Sequence, residues 1–81
     1  MKHYAVINHW ATNDDSGLRI VGVAHDIVEA QAMFNDAVVE EKEFANQSGW
    51  HIEEDTDICF EAYEVGYYSQ AHTALYIEEV I

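Results

Sequence analysis

The stretch from Asp26 to Gly49 constrains the fold more than any other part of the chain. Asp26 is placed to accept from the free amides of a first helical turn, and Glu29 completes a capping box. From Ile27 the apolar residues run Ala30, Met33, Phe34, Ala37, Val38, Phe44 and Ala45, which is the spacing of one helical face. Ser48-Gly49 supplies a stop, because glycine tolerates the left-handed conformation that ends many helices. The pattern predicts a helix over Ile27 to Gln47. Its outer arc carries Glu29, Asp36, Glu40, Glu43 and Gln47, while Glu41 intrudes into the apolar arc.

The segments on either side read as strands. Tyr4 to Trp10 is rich in β-formers and apolar on both parities, and Leu18 to Ala24 is β-branched with the single intrusion of Arg19. Asn13-Asp14-Asp15-Ser16-Gly17 between them supplies turn chemistry, with Gly17 able to take positive φ, so the two runs form a hairpin. Trp50 to Glu54 alternates with period two, and Thr73 to Val80 reads as a further strand. In the stretch between them, Ile58-Cys59-Phe60 extends a strand, and Val65 to Gln70 is expected to be a loop held by aromatic residues.

The resulting order is β-β-α-β-(β)-β: an α+β domain spanning residues 1–81, an antiparallel sheet with one helix on one face. One helix covers only one face of such a sheet. Trp10, Tyr63, Tyr67, Tyr68 and Tyr76 are expected to dress the other, or to bury it against a second copy as a homodimer. The 9.2 kDa chain should bury about 63% of its extended surface, leaving roughly 4,900 Å² exposed, which is enough for one thin core. Hydrophobic residues make up 49% of the chain, which argues against disorder.

Sixteen acids stand against three bases, Lys2, Arg19 and Lys42, for a formal net charge of −13. Such a charge opposes direct binding to nucleic acid or to an anionic membrane. No apolar run approaches the ~18 residues needed to span a bilayer. The start lacks the apolar segment of a secretory signal, and the single cysteine, Cys59, leaves no internal disulfide to form. The expected location is cytoplasmic.

Site chemistry is sparse. The histidines and Cys59 show no short paired spacing of metal ligands, although His3, His9 and His25 could meet across the first hairpin. Asp55-Thr56-Asp57 begins like a calcium loop but has Phe60 where glycine belongs. The isolated glycines form no phosphate-cradling loop, and Cys59 sits where acids disfavour its thiolate. No cofactor and no metal is expected, and the chain reads as binding rather than catalysing.

Two surfaces stand out. Asp36 and Glu40 are like charges one turn apart, and Glu40, Glu41 and Glu43 crowd the negative end of the helix dipole. Charge kept at such a cost suits docking of a basic protein partner; in its extreme form it suits mimicry of a nucleic acid. The other candidate is a pocket of small-ligand or catalytic type using Glu41 with the loop Tyr67, Tyr68 and His72. For Glu41 the plain alternatives are pairing with Arg19 or a tyrosine hydroxyl, or a helix end that reaches water. In size and charge the chain resembles small acidic phage and mobile-element proteins, including DNA mimics and some anti-CRISPR proteins. Cys59-Phe60, the run Gly66-Tyr67-Tyr68, His72-Thr73-Ala74-Leu75-Tyr76-Ile77 and the Glu40 to Gly49 segment are similar to those of short acidic bacterial proteins with no assigned activity. That resemblance implies a family and no function.

Overall fold

The computed structural model describes residues 3–12, 14–66 and 71–80. Strands β1 (His3–Ala11) and β2 (Ser16–Ala24) are followed by helix α1 (Ile27–Ser48) and then by β3 (His51–Asp55), β4 (Cys59–Tyr63) and β5 (His72–Val80). They form one five-stranded antiparallel sheet in the order β2-β1-β5-β4-β3. This is the α+β architecture predicted from the sequence, with the bracketed strand present as β4.

Both helix ends are held by local chemistry. The Glu29 backbone N–H donates to Asp26 Oδ1 at 2.8 Å, which satisfies an amide that has no partner within the helix. Glu29 Oε2 in turn accepts from the His25 N–H at 3.4 Å, one residue earlier than in the usual capping box. At the other end Gly49 takes φ 73° and the Trp50 N–H reaches back to the Ala45 carbonyl at 2.8 Å. The C-terminal signal in the sequence thus works as expected.

The core lies between α1 and the sheet. Phe34 from the helix meets Val6, Phe60 and Leu75 from three strands, and all four are fully buried. Strand alternation explains why β1 is apolar on both parities: Val6 faces the helix, whereas Ile7 faces the open side yet is only 7% exposed. Neighbours on both sides, β2 and β5, shield it. The total accessible surface is 5469 Å², more than the roughly 4,900 Å² expected of a chain this size. No described helix is long and apolar enough to cross a membrane.

Two expectations about the first hairpin need correction. Gly17 lies within β2 with no positive φ; Gly49 alone among the described residues has one. Gly17 is instead required by space, because a Cβ there would overlap the Trp10 ring. Trp10 alternates with Val6 and Asn8, so it stands on the helix side of the sheet rather than dressing the open face. The turn is built by Thr12, whose hydroxyl accepts from the N–H groups of Asp14 and Asp15. Thr56 repeats the device between β3 and β4, accepting from Ile58 and Cys59. Asp55, beside it, is neutralised by Lys42 Nζ at 2.6 Å, so this acidic stretch is a hairpin turn.

Candidate functional site

Most carboxylates of helix α1 stand off its packed face. Asp36, Glu40 and Glu43 are exposed, and Glu43 accepts from Gln47 Nε2 at 3.2 Å, one turn on. Asp36 and Glu40 also line a groove of about 300 Å³ between α1 and β2, together with Arg19, Val21, Met33 and Ala37. The helix's single lysine offers these acids little relief, because Lys42 reaches across to Asp55.

Glu41 leaves this surface and turns inward, half-buried against β5. Burial pushes its carboxyl above the ordinary glutamate value of 4.5, an effect opposed by the positive charge of Arg19 and reinforced by Glu40. The Thr73 hydroxyl donates to the carboxylate, again lowering the value. Thr73 Oγ1 itself accepts from Asn8 Nδ2 at 3.2 Å, and Asn8 also donates to the Ala74 carbonyl at 3.0 Å. The buried pair Asn8–Thr73 thus satisfies groups that would otherwise be costly to desolvate, with the half-buried Glu41 beside it. The sequence suggested Arg19 or a tyrosine as partner. Arg19 acts through its field, and the hydroxyl is that of a threonine.

A raised folded-state value means that Glu41 favours folding fully only below the unfolded value of 4.5; the contribution is lost as pH rises through the folded value. Glu41→Gln, which keeps an acceptor for Thr73, should therefore be more stable than the parent at pH 7. The gain should disappear by about pH 4. Urea midpoints at the two pH values read this directly, and a loss of stability at pH 7 would show that the attraction of Arg19 outweighs burial.

Glu41 and His72 do not share a pocket. His72 precedes Thr73 on β5 and so projects from the opposite face of the sheet. Tyr67 and Tyr68, the other residues of that candidate pocket, lie outside the described residues. His72 belongs instead to a concavity of about 310 Å³ on the open face, with His9 from β1, Glu61 and Tyr63 from β4, Tyr76 from β5 and Glu53 from β3. The His9 and His72 ring centroids are 5.5 Å apart, and Tyr63 stacks obliquely on His51 at 5.0 Å. The first hairpin brings together His3 and His25, with centroids 5.1 Å apart, while His9 turns to His72. Among the described residues no three of His, Cys, Asp and Glu converge as metal ligands.

Cys59 is poorly suited to nucleophilic work. Burial first, then a hydrogen bond to Glu54 and the charges of Glu54 and Glu61, push its thiol up to about 11. Its strand neighbour is Tyr76, whereas His72 lies opposite Tyr63. Four residues along the strand place thiol and imidazole about 13 Å apart.

The open-face cluster is not legible in the sequence as a unit. His72, Ala74 and Tyr76 alternate visibly on one strand, but their meeting with His9, Glu61 and Tyr63 depends on register across three strands. Compared with models of known protein families, with curated proteins and with solved structures, the chain gives no match.

Proposed function

We propose that this chain is a non-catalytic interaction module whose acidic helix face engages a basic protein. The observation that carries the reading is the separation of charge on α1: Asp36, Glu40 and Glu43 face outward, while Lys42 is drawn away to Asp55. A helix capped at both ends and seated on a sheet holds these carboxylates in fixed relation, so little ordering entropy is lost on docking. With a net charge of −13, the whole molecule steers a cationic partner toward that face.

The test is titration against a basic protein of similar size at several salt concentrations. Affinity should fall steeply between 50 and 500 mM salt, since exposed charges are screened over about 10 Å at 0.1 M. Binding indifferent to salt, or no binding at low salt, removes the proposal.

A second reading, self-association, is favoured by one feature of the open face. Leu18, Ile20 and Val23 of β2 form an apolar row there, each more than half exposed. Scattering masses from the same samples decide it: a mass of one chain across the micromolar range is incompatible with a dimer.

A further inference from the structure

We infer that the hollow on the open face of the sheet is a binding site for an organic cation, an alkylammonium or guanidinium group. Its shape follows from one small residue. Ala74 sits in the middle of β5, opposite His9 on one side and Glu61 on the other. His72 and Tyr76 flank it at two residues in either direction and project from the same face. Tyr63 stands opposite His72. Ala74 is thus a floor walled by five longer side chains, and the space above it is about 310 Å³. That is the volume of about ten waters, room for one compact organic group.

The walls select charge as well as size. Tyr63 and Tyr76 bring aromatic rings to the hollow, His9 and His72 imidazoles, and Glu53 and Glu61 carboxylates. Among the described residues no lysine or arginine lines the hollow. Aromatic faces attract a cation through their quadrupole, most strongly where water is excluded, and the carboxylates supply the opposite charge. Glu53 already lies 3.3 Å from His51 Nε2, with both side chains half-exposed. Glu61 receives only a weak contact from the Cys59 thiol at 4.0 Å and remains available to a donor. An anion would meet two carboxylates, and a neutral ligand would leave Glu61 without a charged partner. A metal ion lacks a converging set of three ligands among the described residues.

The site is on the side of the sheet opposite α1, so it neither requires nor restates the reading of the acidic helix face. The group could come from a free small cation or from a lysine or arginine side chain of a bound protein, and the chemistry of recognition is the same.

The experiment is a chemical-shift titration of the folded chain with tetramethylammonium, butylguanidinium and a blocked arginine, with butanol and butyrate as controls. The cations should move the backbone amides of His9, Glu61, Ala74 and Tyr76 to saturation, while butanol and butyrate leave them in place. Saturation by the blocked arginine but not by tetramethylammonium assigns the site to a partner's side chain, and the reverse assigns it to a free cation. Ala74→Leu fills the hollow without changing charge and should weaken cation binding by about tenfold or more, whereas Glu61→Gln should weaken it by several-fold. A β-strand accommodates leucine, and an unchanged amide spectrum away from the site confirms that the variant is folded. Shifts spread evenly over the acidic surface, or an Ala74→Leu titration equal to the parent's, would overturn the inference.

Discussion

Phe34→Ala should leave a chain at the limit of stability, with its urea midpoint falling further than for any other single helix substitution. Phe34 is 1% exposed and is the one aromatic side chain that α1 places at the centre of the core, against Val6, Phe60 and Leu75. Truncating a buried phenylalanine costs about 3–5 kcal/mol, because the lost transfer energy is joined by that of an unfilled cavity. A domain of this length has roughly 4–12 kcal/mol in total. Relaxation cannot close the gap easily: Ala24, Ala30, Ala45 and Ala62 already line the same core, and their small side chains have nothing to extend into it. Phe44, on the same helix but 49% exposed and resting on Trp50, provides the contrast. Phe44→Ala should cost less than half as much. Equal losses would mean that the helix packs on the sheet in a different rotation.

The second large effect separates stability from binding. Replacing Asp36, Glu40 and Glu43 together by Asn, Gln and Gln should make the fold slightly more stable while weakening a basic partner by about tenfold at low salt. The stabilisation has two local sources. Asp36 and Glu40 repel across one helical turn, which costs a few tenths of a kcal/mol, and carboxylates near the helix C-terminus oppose its dipole. The Gln47 contact survives, because a glutamine carbonyl at position 43 accepts as the Glu43 carboxylate does. Thermal melts and binding isotherms on one preparation give both signs. A variant that loses binding and stability together would indicate that the carboxylates serve the fold, and one that keeps its affinity would move the docking surface elsewhere.

The parts of this fold that could be read from sequence are those whose causes are local. Asp26 caps the amide of Glu29 three residues away, and Gly49 takes the left-handed conformation at the position where the apolar pattern ends. Both helix boundaries were therefore visible within one turn of their determinants. Gly17 misled for the opposite reason: its role is set by Trp10 on the neighbouring strand, and only the register shows that pairing. Glu41 stood out as an anomaly of the helical pattern, but its partner Thr73 is thirty-two positions away on a strand whose facing was unknown. Bulges between Val6 and Ile7 and between Ile52 and Glu54 shift the pairing of β2 and β3, so simple alternation could not assign faces there. The ring of side chains around Ala74 needs three strands in register, and nothing in the linear order announces it.

The strand order has a consequence for how copies of this molecule can meet. Both borders of the sheet carry a bulge, but β3 also packs Glu53, Glu54 and Asp55 into five residues, charge that further discourages a neighbouring backbone from adding on. The β2 border has no carboxylate across nine residues and a single cation, Arg19. Hydrogen-bonded growth along the sheet can therefore begin on one side but has no receptive side on which to continue. Two such molecules joined at β2 would present a blunted margin in both directions, so the ribbon ends at a pair and does not propagate into a fibre.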